Sequence, residues 1–261
     1  MTLQAVIFDL DGTLVDSERD GHRVAFNRAF EDFGLPDRWD PAYYGELLHT
    51  TGGLRRIDQH LAARGMPQAE REQLVPQLHA RKTEVFQQMI AQGSMQARPG
   101  VHRFLDDLER DGLRLAVATT GTKAGVVPLV SGLFGGDRFE VIITRDEAPT
   151  LKPDPMAYNE ALKALVLPAA SAIAVEDSRN GVLAAMGASL RCVVVTNGYT
   201  SDHDLSGADL ILDGFGDVDE PAQVVADPHG IRPAHVLGPA DLRRLAREER
   251  AGAAASVQTA D

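Results

Sequence analysis

A single cysteine, Cys192, occurs in the 261 residues, so no internal disulfide can form. Its place in the apolar run Arg-Cys-Val-Val-Val makes it a buried strand residue. No cluster of Cys or His has the spacing of a zinc or transition-metal site. Long apolar runs are missing too: nothing approaches the roughly 18 to 20 residues that span a bilayer. The N-terminal Met-Thr-Leu-Gln-Ala-Val-Ile-Phe-Asp-Leu-Asp lacks the basic start of a secretory signal, and the expected compartment is the cytoplasm. Basic runs are equally scarce. With a formal net charge of −12, the surface repels nucleic acid and anionic lipid, so neither is an expected partner. No obligate protein partner is expected. An anionic substrate would need a local cationic pocket or a metal. Aromatics make up only 5%, but 44% hydrophobic and 25% charged residues describe an ordinary globular protein.

What the chain does contain is a rhythm. Short runs rich in Val, Ile and Ala at 3–8, 113–118, 139–143, 172–175, 190–195 and 208–212 read as buried parallel strands. Helical patterns at 100–111, 123–133, 155–165 and 180–186 alternate with them, as in a doubly wound, Rossmann-like α/β sheet. The first strand breaks the alternation, because the long stretch before the second reads as helix at 17–33, 41–48, 54–64 and 69–92. Gly-Leu-Pro (34–36) and Thr-Gly-Gly (51–53) punctuate it. The expected organisation is a core of residues 1–16 and 93–217, an inserted helical cap at 17–92, and an extension at 218–261. That extension carries a charged helix at 240–250 and a small-residue tail expected to be disordered.

In an open parallel sheet, ligands bind outside the carboxyl ends of the strands. The first strand is followed by Asp9-Leu10-Asp11-Gly12-Thr13, the second by Thr119-Thr120-Gly121-Thr122, the third leads to Lys152-Pro153, and the fourth ends in Glu176-Asp177. Carboxylates at i and i+2 after a strand can share a crevice, one as nucleophile and one as acid and base, which makes Asp9 the nucleophile and Asp11 its partner. A carboxylate attacking a phosphate meets like-charge repulsion that a cation must offset. An oxygen-only set suits magnesium: Asp9, the carbonyl of Asp11, Glu176 and Asp177. Thr119 and the neighbouring N–H groups of Thr120 and Gly121 would hold phosphoryl oxygens, and Lys152 would balance their charge and orient Asp9. The expected intermediate is an aspartyl phosphate. An EF-hand is excluded, since the third spaced ligand and the terminal Glu are missing.

These residues, Phe-Asp-Leu-Asp-Gly-Thr-Leu (8–14), Thr119, Lys152-Pro153 and Val-Glu-Asp-Ser (175–178), resemble the haloacid dehalogenase superfamily of phosphohydrolases with a helical cap. The second Asp matches its phosphatases and phosphomutases rather than its dehalogenases. In the cap, Glu18, His22-Arg23-Val24-Ala25-Phe26-Asn27, Leu47-Leu48-His49-Thr50-Thr51-Gly52-Gly53 and His79-Ala80-Arg81-Lys82 resemble the CbbY group. That resemblance implies removal of the 1-phosphate of xylulose 1,5-bisphosphate, an inhibitor of Rubisco, and hence a place beside the Calvin cycle. It also implies substrate binding by Glu18, His22, Thr51, Gly52, Gly53, Arg56, His79 and Lys82.

Physically, Arg55, Arg56, His79, Arg81 and Lys82 offer enough cation to anchor a second phosphate. The family's Gly-Gly-Lys-Glu-Arg turn reads Gly53-Leu54-Arg55-Arg56 here, so Arg56 keeps the matching position. Competing readings are a β-phosphoglucomutase-like phosphomutase, a phosphoglycolate phosphatase and, from another class, a metal-binding regulatory module.

Overall fold

A computed structural model of the chain describes residues 2–50, 52–217, 219–234 and 236–248. The expected tail lies outside the described residues, as does Thr51. The chain divides into two units, one of Met1–Thr13, Pro99–Thr120 and Phe139–Asp261, the other of Leu14–Arg98 and Gly121–Arg138.

The first unit is built on one sheet. Strands β1 (Ala5–Phe8), β2 (Arg114–Ala118), β3 (Val141–Ile143), β4 (Ala172–Glu176), β5 (Arg191–Val195), β6 (Leu210–Leu212) and β7 (Val224–Ala226) lie in the order β3-β2-β1-β4-β5-β6-β7. All neighbours are parallel except β6 and β7. The chain winds one way from β1 to β3 and the other way from β4 onward, so the topological switch lies between β1 and β4. The antiparallel β7 is the one strand the sequence pattern did not announce. It is three residues long, exposed, and set among Pro and Asp rather than in an apolar run.

Period-two alternation sorts the strand residues onto two faces. On one, the small residues Ala5, Ala116, Ala118, Ala172 and Ala174, with Ile7, Cys192 and Val194, bring helices α7 (Met156–Leu165) and α8 (Arg179–Gly187) close, through Ala157, Tyr158, Ala161, Ala184 and Ala185. On the other, Phe8 meets Phe104 of helix α5 (Val101–Arg110) edge-on at 6.1 Å, and Phe104 meets Phe215 at 5.3 Å. Arg103 of α5 donates to the carbonyls of Phe215, Gly216 and Leu237. Helix α9 (Pro239–Arg247) buries Leu242 and Leu245, and its Arg243 donates to Asp111 at 2.5 Å and to the Leu3 carbonyl.

The second unit is helical. A wide π turn, Glu18–His22, leads into α1 (Arg23–Asp32), followed by α2 (Pro41–Leu47), α3 (Gly53–Ala63) and the long α4 (Gln68–Ala91); α6 (Lys123–Phe134) packs on α4. Asp40 caps α2 by accepting from the Tyr43 N–H, and Pro41 supplies a preset first turn. Trp39 is clamped by Asn27 through two hydrogen bonds to its backbone. Its ring meets Phe26 at 4.8 Å, Phe30 at 4.9 Å and Tyr44 at 5.8 Å, so one aromatic box anchors part of this unit's core. The single helix expected at 17–33 therefore begins with a π turn.

Candidate active site

Asp9 follows directly on β1, and its N–H donates to the Val175 carbonyl at 2.9 Å, continuing the β1–β4 ladder. Since Phe8 pairs with Val175, Asp9 stands opposite Glu176, and paired residues of neighbouring strands project to the same face. Two carboxylates thus meet where the apolar alternation ends. Lys152, from the loop between β3 and α7, joins them: its Nζ donates to Asp9 Oδ1 at 2.7 Å and to Glu176 Oε1 at 2.5 Å. From α7, the buried Tyr158 donates its hydroxyl to the same Glu176 oxygen at 2.6 Å and places its ring 4.8 Å from the ammonium. Burial works against the charge of Lys152, but Asp9 and Glu176 outweigh it and hold the ammonium above the usual lysine range. Glu176 is raised, chiefly by burial, against the opposing pull of Lys152. Tyr158 is raised well above its ordinary value by burial and then by Glu176, so it stays a donor.

One carboxylate oxygen each from Asp9, Glu176 and Asp177 lie within 4.8 Å of one another, the one such group among the described residues that could hold a metal. Every donor is oxygen, which fits a hard divalent cation such as magnesium. The backbone is shaped around these carboxylates. Gly12 has φ of +89°, and a Cβ there would strike Asp177 and Asn197. A Cβ at Gly181 of α8 would run into the Glu176 carboxylate. Both glycines are therefore required by what they admit, not by flexibility alone. Ser178 caps α8 by accepting from the Gly181 N–H at 3.2 Å.

The second unit holds a different cluster. Tyr44, fully buried, donates to Glu18 Oε2 at 2.5 Å and accepts from Arg56 at 2.9 Å, while Arg56 and Glu18 stand 3.7 Å apart. Lys82 lies 2.9 Å from His22 Nδ1, 4.9 Å from the Phe26 ring centroid and 5.2 Å from that of Phe86. An ammonium has only donors, so Nδ1 must accept and His22 must be neutral. Its value is pushed down to about 3 by burial and then by Lys82. His79 is likewise lowered by burial and Lys82. Burial alone would raise Glu18, but His22, Arg56, the Tyr44 hydroxyl and Lys82 outweigh it, and the carboxyl lies below its usual range.

Of the residues singled out from sequence, the fold gathers Asp9, Lys152, Glu176 and Asp177 in the first unit, with Asp11 half-buried beside them in sequence. Thr119 is buried at the end of β2, but its own N–H is spent on the Ile143 carbonyl; Thr120 is exposed and Gly121 half-buried. In the second unit Glu18, His22, Arg56, His79 and Lys82 share charge, Gly53 lies under the His79 ring, and Gly52 is exposed. Arg81 is paired with Asp32 at 2.7 Å and Glu84 at 3.1 Å, and Arg55 is exposed, so neither joins that cluster.

Sequence reasoning missed Tyr44, Tyr158 and Asn197. Tyr44 and Tyr158 read as core aromatics, and only burial beside a charge distinguishes them. Asn197 follows β5 and was open to the same inspection that found the other clusters.

Residues 6–195 match the family model of haloacid dehalogenase-like hydrolases. Protein CbbY of Rhodobacter capsulatus is 42% identical over 212 residues, covering 80% of this chain and 92% of its own. The CBBY-like protein of Arabidopsis thaliana is 39% identical over 224 residues, covering 83% of this chain and 70% of its own. The crystal structure of CbbY from Rhodobacter sphaeroides in complex with phosphate matches with a TM-score of 0.68 at 38% identity, covering 82% of this chain and 95% of that one. A mutant of the same protein has been solved with xylulose-(1,5)bisphosphate. Likeness of this depth, over most of both partners and across the strands that carry the acids, decides the family: the protein belongs to the CbbY group of haloacid dehalogenase-like hydrolases and is a sugar-phosphate phosphatase.

Proposed function

We propose that this phosphatase removes the 1-phosphate of xylulose 1,5-bisphosphate through a phosphoryl ester on Asp9. The observation that carries the reaction is the convergence of Asp9, Glu176 and Asp177, with Lys152 bonded to the first two. With Oδ1 held by Lys152, Asp9 Oδ2 is the oxygen assigned to attack phosphorus. The bond from phosphorus to the sugar oxygen breaks, its electron pair stays on that oxygen, and the Asp11 carboxyl supplies the proton. The ionised Asp11 then takes a proton from water, whose oxygen attacks the phosphoryl ester and releases inorganic phosphate and the Asp9 carboxylate. Asp9, the Asp11 carbonyl, Glu176 and Asp177 would hold magnesium, which when bound supplies positive charge against the phosphate and the carboxylates. Thr119, with the N–H groups of Thr120 and Gly121, is assigned to the phosphoryl oxygens.

The choice of sugar rests on the cap. Arg56 and Lys82 are buried cations suited to a phosphate that does not react, and Glu18, His22, Thr51, Gly52, Gly53 and His79 are assigned to the sugar and its anionic end. The relative solved with xylulose-(1,5)bisphosphate supports the same substrate. Clearing that compound would serve carbon fixation in the Calvin cycle.

The test is phosphate release by the purified protein with magnesium on xylulose 1,5-bisphosphate, ribulose 1,5-bisphosphate, β-glucose 1-phosphate and phosphoglycolate. A strong preference for the first is expected. Equal or better turnover of another would remove the substrate assignment, and sugar phosphate isomerised without phosphate release would mark a mutase.

A further inference from the structure

The structure assigns Asn197 as a positioning residue for the metal: a clamp that fixes the Asp177 carboxylate and the Gly12 carbonyl through one amide. This rests on the reading of Asp9, Glu176 and Asp177 as the magnesium ligands.

Asn197 lies just beyond β5, at the same carboxyl edge as the acids, and Thr196 before it is tied to β6 by its N–H donating to the Leu212 carbonyl at 2.9 Å. The loop that follows folds back on Asn197. The N–H groups of Thr200 and Ser201 both donate to its carbonyl at 3.2 Å, and its own N–H donates to Thr200 Oγ1 at 3.1 Å.

The orientation of the side-chain amide follows from its neighbours. The Tyr199 N–H lies 2.8 Å from Oδ1, and a backbone N–H can only donate, so that atom must be the oxygen. The opposite atom is then the NH₂ group. It faces two acceptors, Asp177 Oδ2 at 2.8 Å and the Gly12 carbonyl at 3.0 Å. The three side-chain bonds agree on a single orientation, and none of them works with the amide turned over.

A residue whose only task was to close the 197–201 turn would need its oxygen alone. The NH₂ group instead bridges two segments distant in sequence: the turn immediately after Asp9-Leu10-Asp11, and a carboxylate of the metal cluster. A bond to Oδ2 sets the rotation of the Asp177 carboxylate, and a bond to the Gly12 carbonyl holds the turn whose preceding residue, Asp11, offers its own carbonyl. Gly12 leaves room for this approach, because a Cβ there would strike both Asp177 and Asn197. Hydrogen bonds of this kind, one step behind the ligands, typically govern metal affinity by about 10- to 100-fold.

The test measures magnesium binding directly by calorimetry on the purified wild type and the Asn197→Ala, Asn197→Ser and Asp177→Asn variants, with phosphatase kinetics across magnesium concentrations alongside. Circular dichroism melts identify folded variants; serine keeps a small polar group that cannot reach both acceptors if alanine fails to fold. The expected result is a magnesium dissociation constant raised about 10- to 100-fold in the Asn197 variants. Their kcat should be restored within a few-fold at saturating magnesium, with KM for the sugar phosphate little changed. Wild-type magnesium affinity in a folded Asn197 variant, with binding lost in Asp177→Asn, would overturn the clamp while leaving the metal cluster standing. Wild-type affinity in Asp177→Asn, or no binding by the wild type, would overturn the metal reading and the clamp with it.

Discussion

The two units carry opposite electrostatic problems. In the sheet unit, buried Asp9, Glu176 and Asp177 cluster with only the ammonium of Lys152 paired to two of them, an excess of negative charge that asks for a cation. In the helical unit, Arg56 and Lys82 face the single carboxylate of Glu18, while His22 and His79 are kept from charging, an excess of positive charge that asks for an anion. The first is made by backbone register: Asp9 and Glu176 meet because Phe8 and Val175, the residues just before them, are paired across β1 and β4. The second is made by side chains reaching across an aromatic box, with Tyr44 as the go-between. Sheet register is hard to change without refolding, whereas side-chain reach shifts with one substitution. On the proposed function, the reaction is therefore tied to the fold, and substrate choice is tied to residues that can drift.

That division can be broken or sharpened by substitution. The largest effect is expected from Asp9→Asn, which removes the proposed nucleophile at nearly constant shape and should lower kcat by at least about 1,000-fold on every phosphate ester. Residual turnover within tenfold of wild type would reject Asp9. Asp11→Asn should follow, with a loss of about 100- to 10,000-fold in kcat that again does not depend on the leaving sugar. Lys82→Ala or Arg56→Ala should behave differently. Each is expected to raise KM for the bisphosphate about 10- to 100-fold, the worth of a charge-assisted hydrogen bond, and to leave a monophosphate such as phosphoglycolate nearly unaffected. An equal loss on both substrates would erase the distinction between the units. Tyr44→Phe removes only the hydroxyl that joins Glu18 to Arg56 and should raise the same KM by about 5-fold, with kcat held.

The smallest effect concerns stability. His22 is held neutral down to about pH 3, so between pH 6.5 and that point the unfolded chain binds a proton that the folded chain refuses. Stability must then rise with pH across this window and fall as pH drops through it. His22→Asn keeps an acceptor for Lys82 without titrating, and its melting temperature should decline less between pH 6.5 and 4.5 than that of the wild type. Parallel declines would show that His22 charges freely in the folded state.

The same contrast explains what could be read without coordinates. The strands and the acids behind them were legible because buried parallel strands are continuous apolar runs and because function collects at their carboxyl ends. Asp9, Lys152, Glu176 and Asp177 all came from that rule. β7 escaped because its partner, not its composition, makes it a strand. The π turn at Glu18–His22 escaped because it differs from an α-turn by a hydrogen-bond shift that leaves no compositional trace. Tyr158 carries no sequence signal beyond that of an aromatic in α7, and its hydroxyl gains meaning only from the carboxylate 2.6 Å away. Arg81 and Lys82 are neighbouring cations that charge alone does not separate, yet one is tied to Asp32 on a partly exposed face and the other is buried against His22 and two phenyl rings.

Arg103 shows that two borders of this protein differ. The match to the family model runs from residue 6 to 195, but the guanidinium of Arg103 is fastened to the carbonyls of Phe215, Gly216 and Leu237, beyond that stretch. The C-terminal stretch serves as a strap whose buckle sits on α5, the helix that backs Phe8 one residue before Asp9. A chain trimmed to residues 6–195 would keep every acid named above and still lose the tether behind them.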